Sequence, residues 1–524
     1  MKFYITTTLP YVNADPHIGF AAEIIKADVI ARWQRLLGNE VFFNTGTDEH
    51  GQKIYEKAKA AGVEPQIYCD EYAAKFRSLK ELLNLSVTNF IRTTDEKHVL
   101  AAQEFWKLCE ANGDIYKKNY QVKYCVGCEL EKTDSELDEN GCCPLHPGKP
   151  LEIIDEENYF FKFSKYQQPL LDLYKNNPDF VKPDWRMNEI KSFVERGLED
   201  FSISRLAAKM PWGIPVPGDE TQVMYVWFDA LVNYISCLDW PSSCHCECSV
   251  AERSNPAGSN TDEIASPGAR NDKNCLFAEY WPGLQVCGKD NLRQQTAMWQ
   301  SMLMSAGLPN SKQILVFGFI SINGQKMSKS IGNVVSPVEM INKYGVDATR
   351  YYLLKEIKPF ADSDFSWEKM DLLYTADLAN GLGNLAARVS TLLEKNEIET
   401  RLDPPPSTSS GQAASQGSTP LSKGELTAEF AKKMDEYAFD EALGVLWKKV
   451  TECDVILTDK KPWKMEDKNE IKKVLEPIAQ NILNIAYLLS PFMPATSEKI
   501  IKQYSEAQIK KSESLFPRLV KEVV

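Results

Sequence analysis

The chain has 524 residues, a net charge of −13, 43% hydrophobic and 25% charged residues. That length calls for three or four domains of ordinary soluble globular composition, and no apolar run approaches the roughly 20 residues that span a bilayer. The acidic balance argues against a protein that coats nucleic acid, although one local basic face would suffice for a nucleic-acid partner, and 13 scattered cysteines do not suit a secreted disulfide scaffold.

The first stretch alternates strand and helix. "KFYITTTL" is β-branched and aromatic, without the h-region of a signal peptide, so the protein is expected in the cytoplasm. "HIGFAAEIIKADVIARWQRLLG" follows with helical spacing: Ile18, Ala22, Ile25, Val29, Trp33 and Leu36 share one face, and Gly38 ends it. "NEVFFNTGT" is the next strand, completing a βαβ unit with its ligand site at the carboxyl ends of parallel strands. Between them, "PHIGF" places His17 and Gly19 at a helix start, where phosphate is favoured; alone, it is more often a turn histidine.

From residue 115 to 210 the pattern changes, first to Cys, Gly and Pro punctuation. "CVGC" (Cys125 to Cys128) and "CCPLH" (Cys142 to His146) predict tetrahedral coordination by Cys125, Cys128, Cys143 and His146, with Cys142 as the fallback third thiolate. The α/β rhythm returns after Arg205 in "QVMYVWFDALVNYISCL", "LQVCGKDN" and "QILVFGFISI", so residues 1–114 and 211–330 are expected to share one split sheet. Residues 242–275 and the 402–421 linker read as flexible insertions, and "CHCEC" within the former as incidental thiols. Beyond a 331–375 segment, 376–524 reads as a helical bundle.

"INGQKMSKSIGN" sets Lys326 and Lys329 in a glycine-flanked loop without an acid. Two point charges on flexible stems suit a triphosphate, whereas a solvated lysine loop is the commoner fate of such residues. The pairing of this stretch with "PHIGF" resembles the class I aminoacyl-tRNA synthetases. "LPYVNADPHIGF", "TGTDEHG", "YCVGCE", "PWGIPVP", "YVWFDALVNYIS", "GKDNLR" and "YGVDATRYYLL" narrow the resemblance to the methionyl family over nearly the whole chain.

The resemblance implies a Rossmann-like parallel-sheet catalytic domain with an inserted zinc-knuckle domain, a 331–375 stem-contact region and an α-helical anticodon-binding domain. It implies methionine–tRNA ligase activity with ATP, Mg2+ and one structural Zn2+. It assigns catalysis to His17, Gly19, Lys326 and Lys329, and ATP binding to these with Gly288, Asp290, Met327, Ser328 and Ser330. Asp48 would hold the α-ammonium, and Leu9, Tyr11, Trp227, Ala230, Tyr234 and Gln295 would line the side-chain pocket. Trp227, Ala230 and Tyr234 stand at i, i+3 and i+7, one face of a helix, though such a stripe is more often plain core. Asn384, Arg388 and Trp463 would read the anticodon of tRNA(Met), and a monomer is expected. Three positions depart from the family: Phe20 where its first motif ends in His, Gln294 and Gln295 where Phe-His often stands, and Phe317 before the glycine of "GFISI". A non-catalytic tRNA- or methionine-binding paralogue is the alternative. Synthetases for valine, isoleucine or leucine carry a much larger insertion than residues 115–210 allow.

Overall fold

The computed structural model describes residues 1–128, 130–132, 136–146, 150–241, 275–327, 333–403 and 425–519. Its centre is a six-stranded sheet in the order Asn89–Arg92, Glu40–Thr47, Lys2–Thr7, Leu284–Gly288, Gln313–Phe317, Val181–Lys182, with every neighbouring pair parallel. Lys2–Thr7 is buried on both faces from Tyr4 onward, as befits a parallel strand covered by helices on each side. Strand order reverses between Lys2–Thr7 and Leu284–Gly288, which opens a crevice beyond their carboxyl ends.

Two expectations about this sheet are corrected. "QVM" does not join it: Asp219–Met224 pairs antiparallel with Ser204–Leu206 and Pro215–Val216 in a separate three-stranded sheet. Conversely, Val181–Lys182, from within 115–210, adds an edge strand beside Ile314 and Leu315. A two-residue strand carries no periodicity, so only its pairing reveals it. The rest of that segment contains a four-stranded antiparallel sheet built on the long pair Ile115–Cys125 and Glu152–Phe161.

Helix Ile18–Leu36 packs under the sheet with Ile18, Ala22, Ile25, Val29 and Trp33 buried, while Leu36 is half-buried. Lys26 and Asp28 are buried too, which the apolar face did not foretell. Asp28 receives an ion pair from Arg350 at 2.7 Å, and both side chains are fully buried. The guanidinium also donates to the carbonyls of Leu83 (3.1 Å), Pro491 (2.9 Å) and Phe492 (2.8 Å). Arg350 thereby joins the first helix of the catalytic sheet to the turn between helices Lys468–Leu489 and Pro494–Tyr504.

The C-terminal part is helical in character, as expected, though its helices begin at Trp367, ahead of the expected residue 376, and among the described residues they include Asn384–Lys395, Glu425–Asp435, Phe439–Lys460, Lys468–Leu489 and Pro494–Tyr504. Trp33 meets Phe430 edge-on at 5.6 Å, so the bundle shares an apolar core with the catalytic sheet rather than hanging from a linker. No helix among the described residues is long and apolar enough to cross a membrane.

Candidate active site

The crevice holds a cavity of about 590 Å3, lined from the ends of four parallel strands and by the segment Val226–Ser236. Thr8 and Leu9 follow the first strand, Asp48 the second, and Gly288 and Asp290 end or follow Leu284–Gly288. Phe317 to Ile320 close the far side. Parallel strands point their carboxyl ends the same way, so residues separated by hundreds of positions converge there.

His17 caps helix Ile18–Leu36, and its Nδ1 accepts the Gly19 N–H at 3.0 Å. That bond places the ring proton on Nε2, making Nε2 a donor in the neutral ring. Sequence placed His17 and Gly19 at a helix start, where phosphate is favoured; the structure gives the Gly19 N–H to the imidazole. A Cβ on Gly19 would come 2.8 Å from His17 Cε1 and 3.2 Å from Met327 Cε, so glycine here permits ring and loop to close together. Ile18 N–H donates to Val335 O at 3.1 Å. The first motif and the flanks of the second therefore touch: Met327 shares the cavity with His17 and Gly19. Ser328, Lys329 and Ser330 lie outside the described residues, as does the Lys326 side chain.

Phe20, the departure in the first motif, lines the cavity and packs edge-on against Phe76 at 5.4 Å. Glu23, one turn further, lines the same cavity as Asp290. Burial and then the Asp290 carboxylate push its carboxyl up to about 8, with Lys26 and Thr8 opposing. The unfolded chain releases this proton near pH 4.5, whereas the folded chain keeps it until about 8. The stability contribution is thus full below pH 4.5 and lost as pH rises through 8. Glu23→Gln removes the titration, so its thermal midpoint relative to wild type should climb between about pH 5.5 and about pH 8.5. Scanning calorimetry at both values checks this, and an unchanged difference contradicts it.

Leu9, Tyr11, Asp48, Trp227, Ala230, Tyr234 and Gln295 all line the same cavity. Asp48 is 7% exposed and lies beside Tyr11 in a parallel bridge, with Val12 N–H donating to its carbonyl. Helical spacing holds only in part: Val226–Ala230 and Asn233–Ser236 are separate short helices, and Asn233 Nδ2 donates to Ala230 O across the break at 2.6 Å. Gln295 donates through Nε2 to the Tyr234 hydroxyl, and burial pushes that hydroxyl's pKa far up, keeping it protonated.

His50 and Asp229 lie within "TGTDEHG" and "YVWFDALVNYIS", but the sequence assigned neither a role, and His98 lies in no motif. Asp229 is fully buried, accepting from His50 Nδ1 at 2.7 Å and His98 Nε2 at 2.8 Å. Burial alone would raise its carboxyl, but His50 and His98 outweigh burial and hold it below the usual range.

Four ligand atoms, Sγ of Cys125, Cys128 and Cys143 and a ring nitrogen of His146, lie within 4.8 Å of one another. Cys128 Sγ is 3.4 Å from Cys143 Sγ and 3.2 Å from His146 Nδ1, and Cys125 and Cys143 Sγ are 3.8 and 4.0 Å from that nitrogen. Tetrahedral zinc requires S–S separations of about 3.8 Å and S–N of about 3.6 Å, so the donor set fits the ion. Cys142 is not in the group; its thiol turns toward Asn140 O. A Cβ on Gly127 would fall 2.4 Å from His146 Cγ, the reason for glycine in that turn. Lys53 Nζ donates to Gly127 O at 2.6 Å, docking the knuckle against the cavity.

In the bundle, Arg388 lies over the Trp463 ring at 5.5 Å and pairs with Asp454 at 2.6 Å. Trp463 is 44% exposed, and Asn384 is exposed one turn before Arg388.

A family model described as tRNA synthetases class I (M) matches residues 3–390, and one for the anticodon-binding domain of tRNA ligase matches 424–522. The chain belongs to the methionyl class I tRNA synthetases. Among curated relatives, a methionine–tRNA ligase of Brucella suis is 40% identical over 95% of this chain and 91% of its own length. Another, from Thermotoga maritima, is 38% identical over 96% of this chain and 75% of its own. A Mycobacterium tuberculosis methionyl-tRNA synthetase solved with methionyl-adenylate superposes with a TM-score of 0.83 at 33% identity, covering 100% of this chain and 99% of that one. This synthetase therefore has both the catalytic and the anticodon-binding parts of its family.

Proposed function

We propose that the chain is a methionine–tRNA ligase, which activates methionine with ATP and passes the methionyl group to the 3′-terminal adenosine of tRNA(Met) for translation initiation and elongation. The observation that carries this reading is the single cavity shared by His17, Gly19, Met327, Asp48 and the Trp227–Tyr234 wall at the switch point of a parallel sheet.

In the first step a methionine carboxylate oxygen attacks the α-phosphorus of ATP, and the bond to pyrophosphate breaks, its electrons leaving with pyrophosphate. A ribose hydroxyl of the tRNA then attacks the adenylate carbonyl, losing its proton as AMP departs. Neither step needs a protein nucleophile, so the protein's contribution is positioning and stabilisation of developing charge. Asp48 holds the ammonium group; Leu9, Tyr11, Trp227, Ala230, Tyr234 and Gln295 enclose the thioether chain. His17 Nε2 donates to phosphate, Gly288 and Asp290 hold the nucleoside, and Lys326, Ser328, Lys329 and Ser330 close over the triphosphate beside Met327. Asn384, Arg388 and Trp463 take the anticodon by stacking and edge hydrogen bonds.

Mg2+ would arrive with the triphosphate: the cavity's carboxylates among the described residues are Glu23, Asp48 and Asp290, and Glu23 is held protonated near neutral pH, too few for a protein cage. Zn2+ would be held by Cys125, Cys128, Cys143 and His146, supplying a structural crosslink. One zinc per chain is expected by elemental analysis; Cys143→Ser should lose most of it and Cys142→Ser none, and the reverse pattern would exchange the two cysteines' roles. The enzyme is read as a cytoplasmic monomer, which light scattering checks for the mass. Amino-acid-dependent ATP–pyrophosphate exchange across all twenty amino acids tests the function. Exchange with methionine alone is expected, and its absence sinks the reading.

A further inference from the structure

The two walls of the amino-acid end of the cavity come from different parts of the chain, and one buried polar bridge connects them. The first wall holds Asp48 and Tyr11, and His50 belongs to it rigidly. Its carbonyl accepts from the Tyr11 hydroxyl at 2.8 Å, and its ring lies 5.5 Å from Trp212, which itself donates to Glu49 O at 2.6 Å. The second wall is the broken helix carrying Trp227, Ala230 and Tyr234, with Asp229 between the first two. His50 Nδ1 reaches Asp229 Oδ2 at 2.7 Å, directly from one wall to the other.

His98, on helix Glu96–Ala111, completes the arrangement from behind. Its Nε2 meets Asp229 Oδ1 at 2.8 Å and its Nδ1 meets Ser236 Oγ at 2.9 Å. Asp229 lies before the break in the second wall and Ser236 after it, so one imidazole spans the interruption. A carboxylate only accepts, so His50 Nδ1 and His98 Nε2 both carry protons, and a neutral His98 accepts from Ser236 at Nδ1. Asp229, His98 and Ser236 are each 0% exposed. Apolar packing would hold this helix pair at lower desolvation cost; directional bonds to a buried charge add a fixed register instead.

We propose that Asp229, His50 and His98 are positioning residues that set the separation between the ammonium-holding wall and the side-chain wall, and so the amino-acid length and shape that the enzyme activates. This rests on the methionine ligase reading of the cavity. Apolar pockets discriminate by only about 10- to 200-fold per methylene-sized difference, so a small displacement of one wall should show in selectivity.

The test is ATP–pyrophosphate exchange with methionine, norleucine and leucine, together with thermal midpoints, for the wild type, Asp229→Asn, His98→Gln and Asp114→Asn. Asp114 is a buried carboxylate remote from the cavity, bonded to Lys165, Tyr166 and Ser305, and reports what loss of a buried charge does to stability alone. Failure of wild-type exchange with methionine counts against the ligase reading; the variant ratios judge the bridge for whichever amino acid is exchanged. Asp229→Asn should raise the methionine KM about tenfold or more, with the ATP KM within about twofold, and lower the kcat/KM preference for methionine over norleucine. His98→Gln should shift the same ratios in the same direction and serves if Asp229→Asn does not fold. Both KM values moving together, or an unchanged preference with only a lowered midpoint as in Asp114→Asn, would overturn the proposal.

Discussion

Asp48→Asn is expected to raise the KM for methionine about a hundredfold in ATP–pyrophosphate exchange while leaving the KM for ATP nearly unchanged. Asparagine keeps the shape, so the parallel bridge to Tyr11 and the backbone bond to Val12 persist, and only the charge facing the cavity is lost. At 7% exposure, water screens an ammonium–carboxylate pair little, and such charge-assisted bonds are roughly twice as strong as neutral ones. Because the same contact is made before and during the reaction, kcat at saturating methionine should fall much less than kcat/KM. An unchanged methionine KM would remove Asp48 from the ammonium site.

Arg350→Ala should produce the largest loss of stability of any substitution considered, up to about 3–5 kcal/mol, because it removes the fully buried guanidinium from Asp28 and leaves that buried carboxylate only Arg32, at 2.8 Å, and the Ser86 donors. Three carbonyls, of Leu83, Pro491 and Phe492, lose a donor at the same time. Arg350→Lys should rescue little, since an ammonium on a flexible stem cannot reproduce a planar fork reaching four acceptors in three segments. Denaturant midpoints of the three proteins check this. A lysine variant as stable as wild type would show that charge, not the fork, holds the joint.

Much of the molecule was legible without coordinates. The βαβ start follows from β-branched runs around a 3.6-residue apolar stripe, whose positions Ile18, Ala22, Ile25, Val29 and Trp33 are buried, although Ile24 to Ala31 are buried without a gap. The candidate metal-ligand set follows from two-residue spacers, because CxxC and CxxH turns hold both donors on one side of a tight loop, and the ligand atoms do converge. That Trp227, Ala230 and Tyr234 line a cavity was suggested by the resemblance, since spacing alone left them as ordinary core.

What escaped is of one physical kind. Asp28 and Arg350 are 322 positions apart, and Asp229 and His98 are 131 apart, and the sequence assigned none of the four a role. Nothing in a periodicity reports that a polar side chain has found its partner across the fold. The strand Val181–Lys182 is another such case, since two residues become a strand only by pairing with Ile314 and Leu315.

Local pattern by itself therefore determined the opening βαβ unit, the helical character of the C-terminal part and where the metal donors stand, whereas the phosphate reading of "PHIGF" and of the lysine loop came with the resemblance. The tertiary structure decided which buried charges are neutralised and by whom, how the broken wall at Ala230–Asn233 is braced, and that the Gly19 N–H serves His17. The division follows from range: apolar periodicity and turn chemistry act over a few residues, whereas a buried ion pair is stable only where the whole chain has excluded water from both partners.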